Sequence, residues 1–582
     1  MQVMNAQQRT LACRCVRRTM LACLLLLAGC GGGGGGDAGG SAALPPPTTL
    51  LVTPSAGPNG TISPASVQSV SRGTVVAFNV TPASGYTASV GGTCGGTLAA
   101  NTFTTSAIVA DCTVTATFTP VIASGGAAYF VAVTGNDTNA CAAAQISTTA
   151  KRTLQAGLAC LTAGDTLIIR DGTYSGAVNA LTNLPSGNAA NVIALRAENE
   201  GGVVLTGGLD LAHTNSYLVF QGLRFQDTLG RTILGNHLKF FRNEFKGGCA
   251  SGNCAATTVG SNDVNDTADI LFEDNWFHGR GGRYNLLVYN ANRVVVRRGV
   301  IRHDAGWIDT KGDPEAGLNF YNSSNCSAQN VLIIDNDLTY VSWQGAFYSV
   351  YNSDSPGATA NNSWLGNIAL RSPVGGGIRF DGNGAIGGAI VEDMVLWDAE
   401  FASAMGSSAS TIGVTMNRIT AGTSKLSSQG AGFVQFARSY SGTVTNAIVA
   451  NTNAESIGVP LTFFNSFNNG GVSNGAGRVT YSPFGNGLTY LVRIETGSAL
   501  KTAGSFGGQI GAQIVNRIGR SATFQGEAGW NADTGVGLWP FPNEARIMKE
   551  MCTDAGISRG FCADTSLTRY IMNYLGNGNP YS

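Results

Sequence analysis

Charge is scarce in this chain. Only 12% of its 582 residues are charged, and the 35 basic and 35 acidic side chains cancel formally. Such a balance supplies no long-range attraction for nucleic acid or an anionic membrane surface, so any site for a polyanion has to be local. Histidine is scarcer still, at four residues, and no two cysteines have the C-x-x-C spacing of a zinc ligand pair. Together these argue against structural zinc. Two aspartates are never adjacent, and no histidine stands between glycines. The apolar stretch Met20–Ala28 is too short to cross a bilayer as a stable helix.

Glycine, by contrast, is abundant at 80 residues, accompanied by much Asn, Ser and Thr. That composition suits an all-β, turn-rich, extracellular protein rather than a helical enzyme. Between about Tyr217 and Asn453 a short phrase recurs, in which a few apolar residues are followed by a turn at Asn or Gly and then more apolar residues. Copies read YLVFQGLRF (Tyr217–Phe225), HLKFFRNEF (His237–Phe245), DILFEDNWF (Asp269–Phe277) and RVVVRRGVI (Arg293–Ile301). An Asn two places before an apolar residue marks Asn243/Phe245, Asn275/Phe277, Asn330/Leu332, Asn417/Ile419 and Asn446/Ile448. Short strands in repeats of roughly 20–40 residues predict a stacked solenoid, with inward residues forming a continuous core.

The N-terminus is set aside as a targeting segment. Arg14, Arg17 and Arg18 precede the apolar stretch, which ends in Leu27-Ala28-Gly29-Cys30. This order resembles a bacterial lipoprotein signal. The resemblance implies that residues 1–30 are removed up to a lipidated Cys30, and that the protein is exported and anchored at the cell surface or outer membrane through that lipid alone. Residues 31–49 are Gly-rich, then Pro-rich, and form a flexible tether. Three of the 13 cysteines lie in the signal and Cys30 is the lipid site. Eight others fall into local pairs that export would oxidise, namely Cys94/Cys112, Cys141/Cys160, Cys249/Cys254 and Cys552/Cys562. Cys326 is left over and is expected inside a coil.

Residues 50–120 alternate apolar and polar residues in strand-like runs such as TVVAFNVTP and CTVTATFTP. Their pattern, GTISP then GTVVAFNVTPASGY then DCTVTATF, resembles a small β repeat module of bacterial surface proteins, which implies a spacer or adhesive unit. From Tyr129 the text YFVAVTGNDTNAC leads into KRTLQAGLACLTAGDTLIIRDGTY, with Leu154, Leu158 and Leu161 on one face of a short helix. This resembles the opening of the pectate-lyase-like right-handed parallel β-helices, in which such a helix caps the first coil and blocks edge pairing. The expected fold is therefore all-β: a small N-terminal β domain, a right-handed parallel β-helix over residues 127–507 with helical caps, and a capping tail over 508–582. In the tail, Pro542-Asn543 starts a helix with Ile547, Met548 and Met551 on its apolar side.

Long interruptions at Cys249–Thr267, Gly279–Leu286, Trp307–Gly317 and Val350–Asn361 are expected to gather on one binding face. Relatives in that superfamily bind or cleave acidic polysaccharides, with lyases neutralising a uronate carboxylate by Ca²⁺ or a cation while a basic side chain takes the C5 proton. RHDAGWIDTKGDPE (Arg302–Glu315) is the expected site. Lys311 and Arg302 are candidate bases, with Arg283, His303 and Asp304 beside them, and Asp309, Asp313 and Glu315 are candidate Ca²⁺ ligands. A charged loop that merely crosses between coils is the structural alternative. Asp263, Asp266 and Asp269 are read as a polar turn before a strand, and Arg379 with Asp381 as an internal ion pair. Trp276, Tyr284, Trp307, Trp343, Tyr348 and Tyr351 are aromatics available for sugar stacking or core filling. A glycan-binding or adhesin-like protein without catalysis is the second reading. A glycoside hydrolase is the third, disfavoured because adjacent aspartates and a Gly-His-Gly motif are absent. The expected partner is a polysaccharide, preferably acidic, bound by a monomer.

Overall fold

The computed structural model describes residues 49–57, 60–82, 86–120, 125–248, 255–262, 266–279, 283–304, 315–336, 345–353, 359–371, 376–399, 401–405, 412–422, 434–435, 440–450, 462–464, 467–468, 488–553 and 558–575. No described helix is long and apolar enough to cross a membrane.

Alternation in the N-terminal module produces two four-stranded sheets. One orders Gln68–Ser71, Thr49–Ala56, Cys112–Pro120 and Tyr86–Gly91; the other orders Gly60–Ser63, Ala77–Pro82, Thr102–Thr105 and Gly96–Ala99. Every second residue turns inward, so that Val52, Phe78, Val80, Phe103 and Val114 form a small core beside the Cys94–Cys112 disulfide.

The rest is a right-handed parallel β-helix with three parallel sheets. Strands of the first sheet include Ser216–Gln221, Asn236–Phe241, Thr267–Glu273 and Ala291–Arg297. Those of the second include Leu223–Phe225, Glu244–Lys246, Trp276–Gly279 and Val300–His303. The third sheet has nine strands, from Asp210–Leu211 through Tyr284–Tyr289, Glu315–Tyr321, Gly345–Asn352 and Gly376–Gly382 to Val434–Gln435. In-register coils stack like on like. Phe220, Phe240 and Phe272 lie face to face at 4.7 and 4.8 Å, and Phe225, Phe245 and Phe277 at 4.9 and 4.7 Å.

The recurring Asn of the sequence phrase turns the corner between the first two sheets. Before Asn243 and Asn275 the preceding residue takes a left-handed conformation (φ 53° at Arg242, 58° at Asp274), and at Asn330 and Asn446 the Asn itself does (φ 51° and 54°), which breaks the strand ladder there. The Asn side chain then bridges coils. Asn275 donates Nδ2–H to the Phe240 carbonyl at 2.8 Å and accepts from the Asn243 backbone N–H at 2.8 Å, while Asn243 serves Phe220 and Leu223 in the same way. Asn367 continues this ladder under Val331 and Ala328.

A short helix, Leu154–Leu158, sits at the N-terminal end with Thr153 as its cap residue, and Leu154 and Leu158 enter the solenoid core beside the Cys141–Cys160 disulfide. The described part of the C-terminal tail packs from Leu488 onward along the flank of the solenoid. The outward residues Trp276, Val300, Leu332, Ile368 and Trp397 of the second sheet form a second core with Leu491, Ile514, Ile547, Met551, Phe561 and Ile571. Phe524 covers Val219, Phe241, Leu271 and Val295 on the outside of the first sheet. The physical reason is that both sheets are apolar on the outside as well as the inside, so they demand a covering layer. The tail helix Glu544–Cys552, clipped by Cys552–Cys562, also reaches the N-terminal module, where Ala545 joins the module core.

Candidate functional site

Two of the three outer faces are thus covered by the tail, which leaves the third sheet. The undescribed segments 280–282, 305–314, 337–344 and 372–375 each lead directly into one of its strands.

Its register builds two rows. Tyr289, Tyr321, Tyr351 and Asp381 pair across successive coils, as do Leu287, Asn319, Ser349 and Arg379. The alternating neighbours Val288, Phe320, Val350 and Phe380 are in the core, so both rows point outward. The tyrosine rings stand 5.0 Å apart (Tyr289–Tyr321, edge to face) and 4.8 Å apart (Tyr321–Tyr351, tilted). The Tyr289 hydroxyl donates to Asn262 at 2.7 Å. Burial raises the phenol pKa of both Tyr321 and Tyr351; the neighbouring Tyr289 adds to the first, and Tyr321 and Asp381 to the second, while Arg283 opposes both. Both phenols hold their protons at neutral pH.

Beside them Arg379 and Asp381 form a buried ion pair, and Asp381 also accepts the Gly382 N–H at 2.8 Å. Asn319 is 0% exposed, yet neither its amide nitrogen nor its amide oxygen has a hydrogen-bond partner. An unpaired buried polar group costs about 1–3 kcal/mol, so such a residue is a mark of a surface built for something else. The Arg283 guanidinium lies 5.2 Å from the Tyr284 ring at the entry edge of the same sheet. The assembly offers cations for a carboxylate, donors and acceptors for hydroxyl groups, and flat rings for pyranose faces.

The residues expected from sequence are divided by the fold. Arg283 lies on this face. Lys311, Asp309 and Asp313 lie outside the described residues, in the segment that enters strand Glu315–Tyr321; only the backbone of Glu315 is described. Among the described residues no three His, Cys, Asp or Glu side chains assemble a metal site.

Arg302 and Asp304 are a correction. They belong to the second-sheet side and are buried beneath the tail. Arg302 is 0% exposed and spends its donors on Asp304 at 2.6 Å, the Met551 carbonyl at 2.5 Å and Cys562 Sγ at 2.9 Å, with its plane 5.1 Å from the Phe561 ring. Asp304 also accepts from Arg559 and the Gly279 N–H and faces His278; although burial opposes it, His278 and Arg302 hold its carboxyl well below the usual range. A guanidinium so engaged has no access to a sugar, and its place is that of an anchor for the tail. His303 is half-buried at the end of Val300–His303, where its carbonyl accepts from Arg559.

Other expectations fall out in the same way. Trp276 is buried with its indole N–H on Glu550 at 2.9 Å, and Tyr348 is in the core, whereas Tyr351 is on the outer face. Trp307 and Trp343 lie outside the described residues, as do Cys30, Cys249 and Cys254. Asp269 is held by a two-point ion pair to Arg293 at 2.7 Å. Arg379 and Asp381 do pair, but on the outer face. Cys326 is buried, and desolvation pushes its thiol up to about 12. Sequence reasoning named Tyr351 but missed Asn319, Tyr289 and Tyr321. Tyr289, Tyr321 and Tyr351 are spaced by 32 and 30 residues, a signal available only when the coil register is known.

Comparison with known proteins adds the following. A family model described as Chondroitinase B matches residues 148–287, and one described as Divergent InlB B-repeat domain matches residues 50–122. No curated protein sequence matches. Similar solved structures include pectate lyase Pel9A (16% identity, 66% of this chain and 92% of that one, TM-score 0.39). They also include a mannuronic acid specific polysaccharide family 6 lyase from human gut microbiota (12%, 53% and 76%, TM-score 0.31) and a rhamnogalacturonan lyase (14%, 55% and 87%, TM-score 0.34). Residues 50–122 are thus similar to a B-repeat domain, and the chain continues as a parallel β-helix of which residues 148–287 are similar to Chondroitinase B.

Proposed function

We propose that the protein binds an acidic polysaccharide on the outer face of the third sheet and cleaves it by β-elimination. The observation that carries this reading is the outward row Asn319–Ser349–Arg379 beside the Tyr289–Tyr321–Tyr351 row, on the outer face that the described tail residues do not cover. The partial likeness to Chondroitinase B over residues 148–287 supports a polysaccharide as ligand. Arg283 and Arg379 pair with the uronate carboxylate, which makes the C5 proton more acidic. Lys311 removes that proton, a C4=C5 double bond forms, and the C4–O bond breaks. The departing oxygen takes a proton from a tyrosine of the row, for which a protonated phenol is the needed state. Ca²⁺ bound by Asp309, Asp313 and Glu315 remains part of the proposal to be tested, and no step is routed through it. We further propose that Cys30 carries the lipid that holds the protein at the cell surface.

The test is incubation of the full chain with alginate, pectate and chondroitin sulfate, with and without chelator, following ultraviolet absorbance of the unsaturated uronate. Lys311→Ala and Arg379→Ala are expected to lower the rate by about 100-fold or more. Unchanged rates in both would overturn the site. Retention of glycan with no absorbance on any uronate would favour binding without cleavage, a reading supported by the ion pair that already occupies Arg379.

A further inference from the structure

A cleft of about 440 Å³ lies where the N-terminal module, the first coils and the tail helix meet, away from the third sheet. Its size falls within the ~300–1,000 Å³ of small-molecule sites. Most of its charges are already matched. Arg224 is taken by Glu244 at 2.6 Å, Arg546 by Glu550 at 2.8 Å and Glu200 at 3.4 Å, and Glu198 by Arg170 at 3.1 Å. Arg196 is different. It is half-buried on a coil edge, its hydrogen bond is a long one of 3.5 Å to the Ala197 carbonyl, and no carboxylate of the described residues lies within ion-pair distance. Burial lowers its pKa, with Glu198 and Glu200 only partly opposing. A desolvated guanidinium without a counter-ion costs free energy that an anion would return. Lys549 lines the same cleft, exposed and without an ion-pair partner, whereas Asp171 lines it as the one acid without a cation. The opposite wall is the module's Tyr86, Ala88 and Leu98, a largely apolar surface.

We propose that this cleft is a second binding site, for a pyranose bearing a carboxylate or sulfate held between Arg196 and Lys549, its ring lying against Tyr86 and Leu98. The proposal rests on the polysaccharide reading but uses none of its residues. It gives the module a role, since one wall of the site belongs to it: the module clamps chain that continues beyond the third-sheet site. A cation on one side and an aromatic with an aliphatic neighbour on the other is the pairing that an acidic sugar, polar at one edge and C–H-rich on its face, requires.

Isothermal titration of the full chain with tetragalacturonate and, separately, a chondroitin sulfate tetrasaccharide tests this, the two probes separating carboxylate from sulfate. In an Arg379→Ala background, which weakens the third-sheet site, one binding event should persist with at least one probe. Adding Arg196→Gln should weaken that event about 10-fold or more. Lys549→Glu, at an exposed position that leaves the fold intact, should do the same. If neither substitution alters the affinity, or if nothing binds in the Arg379→Ala background, the cleft is not a sugar site. Binding lost with Arg196→Gln but untouched by Arg379→Ala alone would instead remove the third-sheet reading and leave the cleft standing.

Discussion

At the residue scale, the same side-chain type does opposite work depending on which sheet carries it. Arg302 and Arg379 both sit next but one to an aspartate, in RHD and RFD, and both form a buried ion pair with it. Arg302 faces the tail, and Arg379 lies on the outer side of the third sheet. Truncating Arg302 to Ala leaves Asp304 buried with only part of its compensation, so we expect a loss of about 3 kcal/mol in unfolding free energy. Chemical denaturation of the variant would measure it. The folded fraction should keep wild-type glycan binding, because Arg302 is buried beneath the tail; a selective loss of binding with unchanged stability would contradict that placement.

Elements are held by their corners as much as by their strands. Asn275 and Asn243 each join two adjacent coils, and together three, through a side chain that satisfies both a carbonyl and an amide. Replacing Asn275 by Ala leaves the Phe240 carbonyl and Asn243 N–H buried and unpaired, at about 1–3 kcal/mol each. The expected result is a midpoint lowered by several degrees in a thermal melt. A change to Ala at Asn188, in an exposed turn outside the ladder, should have little effect. The recurrence of Asn two residues before an apolar position is legible in the sequence because every coil meets the same need. The left-handed residue is not legible, since it is Arg242 or Asp274 before the Asn, Asn330 or Asn446 itself, or Arg418 after Asn417.

For the whole molecule, Glu544 ties the tail to the N-terminal module. It is buried and accepts from the Gly92 N–H at 2.5 Å and from the Thr568 N–H at 2.9 Å and hydroxyl at 2.5 Å. Burial raises its pKa to about 7, the hydrogen bonds only partly opposing. In this window the folded state binds the proton that the unfolded chain, with an ordinary carboxyl near 4.5, has released. Stability contributed by this group is therefore full below about pH 4.5 and declines as pH rises to about 7. We expect Glu544→Gln to remove on the order of 3 kcal/mol of that decline. Unfolding free energies of the two proteins at pH 5 and pH 8 would show it, and parallel pH profiles would rule it out. His278, whose pKa is also raised in the fold despite its burial, through Asp304 and Glu244, loses stability in the same direction but is common to both proteins.

The sequence by itself determined the coil. Apolar alternation, the Asn corners, the opening helix and local cysteines are short-range signals repeated many times, and each repeat meets the same environment in the stack. It also marked where insertions interrupt that regularity. Only the tertiary structure decided which outer faces the tail covers. Strands of the second and third sheets are written in the same apolar alphabet, and whether an outward Trp276 or an outward Tyr321 meets solvent depends on where a tail more than 200 residues later comes to rest. That long-range covering is why Arg302, prominent in the sequence, belongs to packing, and why Asn319, inconspicuous in the sequence, belongs to the candidate site.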